Sequence, residues 1–304
     1  MLQVFSVACL STFKGIAETE KPLFGRHRPP LSAALDFARV TNPACTVGGS
    51  VLDVGARGAA ETSEILSADY HAIAVECQPD EYVRLHQHWK YNSNVTLLNM
   101  CASNDGPEVK ILYNAEGATT LQDGTLNHHG ERLRHRAALR KTVPVIAMPL
   151  DMLLWHKGAA GLEPSKELVH PVCGVKVDVQ GHEKAVLQGL TETLRRYRPV
   201  IYYEFEGRFA MSYGTKEFIE GLGLGYICLP DERGKPRVAH LPPMPCKSGY
   251  CDVICAANTS VNQTVAYMRN WIDTNTGSPR IRPELRAGLG AQFVHKEGCN
   301  QRTT

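Results

Sequence analysis

The chain has 304 residues, 43% of them hydrophobic, enough to bury one sizeable core with appendages rather than several independent cores. Lysine and arginine number 33 against 31 aspartate and glutamate, a formal charge of +2, so no global field favours nucleic acid or a membrane surface. The 10 cysteines are scattered without Cys-x-x-Cys spacing, which argues against a structural zinc site; they read as small buried apolar residues.

Residues 1–10 are apolar but lack a basic leader, and Ser11, Thr12 and Lys14 soon interrupt them, so no membrane-spanning segment is expected there. Asn94, Asn258 and Asn262 each begin an Asn-x-Ser/Thr sequon, and a disulfide among Cys246, Cys251 and Cys255 is conceivable in a secreted protein. The expected location is the cytoplasm, with the secretory pathway as the alternative. Residues 1–47, rich in proline with one short helix at 31–40, read as a partly ordered lead-in.

From Ser50 onward, apolar runs of strand length alternate with helical patterns, the signature of a parallel sheet wrapped by helices. A strand at 51–54 ends in glycine and is followed by a helix at 60–68; a buried strand at 71–76 precedes a helix that starts at Pro79, whose fixed φ suits a first turn. Residues 95–100 form the third strand. After Gly106 the pattern changes to two strands, 109–113 and 143–148, separated by a long polar stretch, which reads as an insertion. A short helix at 150–156 leads to a core strand at 172–179.

Residues 183–197 form the clearest helix, with Val186, Leu190 and Leu194 on one stripe widened by Leu187. A strand at 200–204, a helix at 215–222 and strands at 226–229 and 251–257 complete the pattern. That makes seven core strands; the last two are joined by a loop without a helix, so the final pair is expected to be antiparallel. A helix at 265–272 and a mobile tail follow, which divides the chain into a lead-in (1–47), an α/β domain (48–259) and a C-terminal helix with tail (260–304).

The segment Val51-Leu-Asp-Val-Gly-Ala-Arg-Gly-Ala lies where a strand passes into a helix, the place where nucleotide-like cofactors meet the sheet edge. Asp53 precedes the first glycine, and Glu76 ends the next strand 23 positions later, the spacing of a ribose-binding acid. A dinucleotide site needs Gly-x-Gly-x-x-Gly so that pyrophosphate can sit on the helix N-terminus. Gly55-Ala-Arg-Gly-Ala-Ala lacks the later glycines in register, and Asp53 suits a cationic methionine better than a pyrophosphate. S-adenosylmethionine is therefore preferred to NAD.

The ordered blocks Asp-Val-Gly-Ala (53–56), Ala-Val-Glu-Cys-Gln-Pro (74–79), Ala-Ser-Asn-Asp-Gly (102–106), Ala-Thr-Thr-Leu (118–121), Pro-Leu-Asp (149–151), Val-Lys-Val-Asp-Val-Gln-Gly-His-Glu (175–183) and Arg-Pro-Val-Ile-Tyr-Tyr-Glu (198–204) resemble FkbM O-methyltransferases over roughly residues 50–257. The resemblance implies a Rossmann-like class I methyltransferase sandwich, a seven-stranded mostly parallel sheet with an antiparallel last strand. It implies that Asp53, Gly55, Ala56 and Gly58 line the methionine end of S-adenosylmethionine. Glu76 and Cys77 would border the ribose, and Cys101, Ala102 and Ser103 the adenine. Asp178 would face the methyl group, with Lys176 on the same side of the strand and His182 as a further catalytic candidate. The acceptor would be a hydroxyl of a small molecule or carbohydrate. No metal is expected, since Asp178 lacks convincing further ligands.

Arg57, Gly58 and Ala59 stand where the family usually carries Asn, an apolar residue and Gly, and Gln180 where it usually carries Glu. Arg57 must therefore turn outward or pair with a carboxylate such as Asp53 or Glu61, because an unpaired guanidinium beside a sulfonium costs binding energy. Asp178 reads equally as a cap for the 183–197 helix, and His182, beside a helix start, as a surface residue. Arg132, Arg134, Arg136, Arg140 and Lys141 form a basic run in the insertion that reads as a solvated face rather than a nucleic-acid or acceptor contact. The alternatives are a non-catalytic relative that has lost cofactor affinity and, less favoured, a nicotinamide-dependent oxidoreductase.

Overall fold

A strand that is apolar on both faces must be covered on both faces, and 51–54, 71–76 and 172–177 have that character. The computed structural model describes residues 31–42, 44–45, 49–58, 60–115, 118–121, 142–155, 171–207, 212–231 and 250–275. In chain order the first elements are α1 (Leu31–Thr41), β1 (Ser50–Val54), α2 (Ala60–Ser67), β2 (His71–Glu76), α3 (Pro79–Trp89) and β3 (Val95–Asn99). Next come β4 (Cys101–Ala102), β5 (Glu108–Ala115), β6 (Ala118–Leu121), β7 (Thr142–Met148) and α4 (Leu150–Trp155). The remainder is β8 (Val172–Val177), α5 (Glu183–Gln188), α6 (Thr191–Tyr197), β9 (Val200–Glu206), α7 (Thr215–Gly221), β10 (Tyr226–Asp231), β11 (Tyr250–Ala257) and α8 (Val261–Asn275).

Seven strands form the main sheet in the order β10-β11-β9-β8-β1-β2-β3. All neighbours are parallel except β11, which runs antiparallel to both β9 and β10. This is the Rossmann-like class I methyltransferase sandwich expected from the sequence. The chain moves outward from β1 to β2 and β3, then returns to the other side of β1 as β8. A crevice consequently opens at the carboxyl ends of β1 and β8, the topological switch point at which open α/β sheets bind ligands.

Alternation along the strands divides the core into two layers. Leu52, Val54, Val175 and Val177 pack with Leu150, Val186, Leu187, Leu190, Leu194 and Ile219 on one face. Val51, Ala72, Cys173 and Ile254 pack on the other face with Leu35 and Phe37 of α1, Ile65 of α2 and Met268 of α8. A Cβ on Gly174 would lie 2.6 Å from Leu35 Cδ2, so the bare backbone there lets α1 settle onto the sheet. Leu31–Thr41, read from sequence as part of a loose lead-in, is thus integral to the core. Trp271 Nε1 on α8 donates to Asp36 Oδ2 at 3.0 Å, and the Phe37 and Tyr267 rings lie 5.0 Å apart, joining the chain's first and last described helices.

The insertion builds a second sheet in the order β4-β7-β5-β6. Cys101–Ala102 is a short strand parallel to β7, and Ala118–Leu121 is an additional strand beside β5. The single helix expected over 183–197 is two, α5 and α6. The cause is tertiary: Asp151 of α4 accepts from the Glu192 and Thr193 backbone N–H groups at 2.7 and 3.1 Å and from Thr193 Oγ1 at 2.5 Å, so it starts a new helix there. The apolar stripe survives the break, with Val186, Leu187, Leu190 and Leu194 all fully buried. The third strand ends at Asn99 and α8 begins at Val261, shifts of element ends relative to the sequence reading.

No helix among the described residues is long and apolar enough to cross a membrane. The basic run at 132–141, most of the 1–47 lead-in, the tail after 275, and Cys246 lie outside the described residues. Asn94, Asn258 and Asn262 are exposed.

Candidate cofactor and acceptor site

The carboxyl ends of β1, β2 and β8 open into a cavity of about 210 Å³. Its walls are Gly55, Arg57, Glu61, Glu76, Cys77, Gln78, Cys101, Ala102, Leu112, Lys176, Asp178, Val179, Gln180 and His182. Two strand-end carboxylates, Glu76 and Asp178, therefore share one cavity with the turn after β1 between them.

Gly55 makes that turn with φ +81°, and a Cβ at this position would collide with the Asp178 carbonyl. Only glycine combines this left-handed backbone with so close an approach of the β1 and β8 ends. Of the other residues expected in the turn, Ala56 is fully buried against Ala74 and Leu85 beneath α3, and Gly58 is exposed with φ +81°. Neither lines the cavity.

Asp53 does not face the cavity either. It is fully buried, accepts from Thr62 Oγ1 at 2.6 Å and pairs with Lys176 Nζ at 3.2 Å. Lys176 also donates to the Gly55 carbonyl at 2.9 Å. Burial pulls the Lys176 pKa down, but Asp53, Asp178 and Glu61 outweigh it and the net direction is upward. Lys176, expected among the catalytic residues, is consequently a fixed ammonium that cannot accept a proton; it ties β8 to the turn after β1.

Glu76 is buried, and its Oε1 accepts from the Gln78 backbone N–H at 2.7 Å. Burial raises its carboxyl to about 7, against the lowering by the Gln78 N–H, and Glu81 adds to the rise. Cys77 and Cys101, which follow Glu76 and open β4, are joined in a disulfide, with Cα atoms 4.4 Å apart. Neither cysteine carries a free thiol, a departure from the reading of small isolated apolar residues. Cys45–Cys173 and Cys228–Cys255 are likewise disulfides.

On the opposite wall, Gln180 Nε2 lies 3.2 Å from both Asp178 Oδ1 and Glu204 Oε2, bridging the two carboxylates. The Gln180 backbone is left-handed, φ 56°, and Gly181 follows at φ 102°. Glu183 holds this turn from below: its Oε1 accepts from Val179 and Gly181 N–H at 3.4 and 2.9 Å, and Ser212 Oγ donates to Oε2 at 3.0 Å. Burial raises the Glu183 carboxyl to about 7 despite these donors. Asp178 caps no helix, because His182 occupies the N-cap of α5.

His182, expected at the surface, is buried with Nε2 3.3 Å from Ser103 Oγ. Ser103 is fully buried, receives Lys110 Nζ at 3.4 Å, and sits behind the cavity wall. Lys110 and Glu183 were not candidates from sequence, since a lysine in a strand and a glutamate at a helix start carry no signal until the second sheet and α7 are in place. Arg57 pairs with Glu81, at 3.8 Å, rather than with Asp53 or Glu61, and its side chain is 60% exposed. Among the described residues no group of His, Cys, Asp and Glu has a metal-holding arrangement.

Comparison with known proteins places this geometry. Curated protein sequences return no significant match. Among solved structures, an FkbM methyltransferase from Methylobacillus flagellatus KT aligns at 10% identity and TM-score 0.40, over 68% of this chain and 43% of that one. This chain thus spans less than half of that structure's length. An rRNA methylase from Streptococcus thermophilus aligns at 13% identity and TM-score 0.38, over 77% of this chain and 99% of that one. Fibrillarin from Aeropyrum pernix in complex with S-adenosyl-L-methionine gives 15% identity and TM-score 0.36, over 75% and 74% of the two chains. Such distant likenesses carry nothing about activity or acceptor. The family model described as the methyltransferase FkbM domain matches residues 53–222, more than half of the chain and the whole stretch from Asp53 through Gln180, and the protein therefore belongs to the FkbM methyltransferase family.

Proposed function

We propose that this protein transfers the methyl group of S-adenosylmethionine to a hydroxyl oxygen of a small molecule or carbohydrate, with Glu76 on the cofactor side of the cavity and Asp178 on the acceptor side. The observation that carries the reading is that these two carboxylates stand at the ends of β2 and β8 on one cavity, separated by the glycine turn at Gly55. When bound, the cofactor supplies an electrophilic methyl group on a sulfonium.

The residues present fit such a group. Gly55 lines the cavity and lets the turn after β1 close against Asp178, Glu76 is held by Gln78 N–H in an orientation that lets its second oxygen accept from ribose hydroxyls, and Ala102 and Leu112 supply apolar wall for a base. Arg57 is drawn toward Glu81 and solvent, which spares a cationic ligand most of its repulsion. Asp53 supports the turn through Lys176 and does not itself contact the ligand.

Asp178 accepts the hydrogen bond of the acceptor hydroxyl and orients its oxygen lone pair toward the methyl carbon. Gln180, bridging Asp178 and Glu204, keeps that carboxylate in one rotamer, and most of the rate gain comes from this alignment. His182 borders the same space and can relay the departing proton through Ser103 or water.

The test is calorimetric titration with S-adenosylhomocysteine and, separately, NAD, followed by incubation with methyl-labelled S-adenosylmethionine and a panel of hydroxylated compounds. Saturable S-adenosylhomocysteine binding together with label in an ether product supports the reading. Binding of NAD in preference, or label found only on nitrogen or carbon, overturns it.

A further inference from the structure

Every cysteine among the described residues is disulfide-bonded, and one of the bonds stands on the wall of the cavity. Cys77 lies between Glu76 and Gln78, the residue whose backbone N–H orients the Glu76 carboxylate. Cys101 begins β4, which belongs to the second sheet through its pairing with β7. The bond therefore fastens the end of β2, in the main sheet, to the insertion sheet across the cavity rim. Around it Cys101, Leu112, Val145 and Ala147 form a small cluster with Cys77 and Val143 packed against it, while the neighbouring Met100, Ala102 and Met148 are buried in the main core. The disulfide adds a covalent link on the small-cluster side, directly beside Glu76, where the packing is thinnest and local opening meets least resistance.

We propose that the Cys77–Cys101 disulfide is a positioning element of the cofactor site, holding the Glu76 side of the cavity closed, and that cofactor affinity therefore depends on the redox state of this pair. The proposal rests on the cofactor reading given above. Reduction by a dithiol places two electrons and two protons on the sulfurs as two thiols, while the dithiol leaves as its own disulfide; exchange with a low-molecular-weight disulfide reverses the step. Under this proposal the bond forms in an oxidising compartment, in keeping with the secretory alternative rather than the cytoplasm. Glu76 and Gln78 keep their hydrogen bond in either state, but only the oxidised rim presents them in a fixed position.

The experiment begins with protein folded in the presence of glutathione disulfide, alkylated and mapped by non-reducing peptide mass spectrometry. S-adenosylhomocysteine titrations are then compared before and after reduction, for wild type, the Cys77→Ser/Cys101→Ser variant and a Cys228→Ser/Cys255→Ser control whose bond joins β10 to β11 far from the cavity. The expected results are a linked Cys77–Cys101 peptide and a loss of affinity of roughly tenfold on reduction of wild type and of the control, from lost preorganisation. The Cys77→Ser/Cys101→Ser variant should match reduced wild type and ignore the reductant.

Free, alkylated thiols at Cys77 and Cys101 overturn the proposal. So does an affinity that is unchanged by reduction while the unfolding temperature falls, which is the behaviour of a merely structural bond. Reduction of wild type needs no variant, so a poorly folding double variant does not block the test. Absence of S-adenosylhomocysteine binding in both redox states, with the linked peptide present, overturns the cofactor reading and the coupling with it, whereas equal binding in both states overturns the coupling alone.

Discussion

Asp53 and Lys176 are register partners on adjacent strands, and their side chains form an ion pair of 3.2 Å with almost no exposure to solvent. Lys176 spends a second hydrogen bond on the Gly55 carbonyl, so the pair locks β1, β8 and the glycine turn into one unit. Breaking a buried pair from one side leaves an uncompensated charge. Lys176→Met should destabilise the fold by about 3–5 kcal/mol, and Asp53→Asn combined with Lys176→Met should recover much of the loss. Urea denaturation of the single and double variants checks this; equal stability of wild type and Lys176→Met would show the pair to be unimportant.

Cofactor binding should depend on pH through Glu76. Its carboxyl is raised to about 7 by burial, and the ionised form is the stronger acceptor for ribose hydroxyls. S-adenosylhomocysteine affinity is expected to strengthen as pH rises through about 7, and Glu76→Gln to flatten that dependence. Glu76→Ala should weaken binding by roughly 10- to 100-fold, the loss of hydrogen bonds to a charged group. Calorimetry across the pH range decides, and an equally steep profile in Glu76→Gln would remove the ribose assignment.

Glu183 predicts a pH dependence of stability with the opposite sense from an ordinary paired carboxylate. Its folded pKa is raised from 4.5 to about 7, so over that interval the folded state holds a proton that the unfolded chain has released. Stability consequently falls as pH rises through the window and levels off above it. Glu183→Gln should reduce this fall, by about 1–3 kcal/mol for one group. Denaturant midpoints measured below and above the window, for wild type and variant, test the sign.

Arg57→Asn should change S-adenosylhomocysteine affinity by no more than about threefold, because the guanidinium is 60% exposed and paired with Glu81 at 3.8 Å. A large gain in affinity on this substitution would mean that the arginine opposes the cofactor after all, and that the natural protein is a weak binder.

Asp151→Ala removes the acceptor for the first N–H groups of α6 and should cost about 1–2 kcal/mol of stability. Since α6 lies against the core and not on the cavity, cofactor affinity of the folded variant should be unchanged. Parallel measurement of unfolding and of S-adenosylhomocysteine binding separates the two effects.

The sequence by itself determined the elements whose signals are local. Continuous apolar runs specify the central strands and the stripe of Val186, Leu190 and Leu194 specifies a helical face, because each depends only on residues a few positions apart; Gly55 and Glu76 mark a candidate ligand site through the strand-turn-helix-strand pattern that separates them. The antiparallel last pair was equally legible, since no helix separates its strands to carry the chain back across the sheet.

What only the tertiary structure decided are the partnerships. Lys176 meets Asp53 because strand order brings β8 beside β1, and the same juxtaposition joins an expected catalytic residue and an expected cofactor contact in a buried ion pair. Cys77 finds Cys101, and Cys45 finds Cys173 across 128 positions, only when the sheets have closed. Asp151 splits the 183–197 helix from another element, Arg57 chooses Glu81 on α3, and the second sheet buries His182 against Ser103. Backbone preference is written in neighbouring residues; the energy of a charge, a thiol or an unsatisfied N–H depends on what lies opposite it, and that is settled by the order in which distant strands pack.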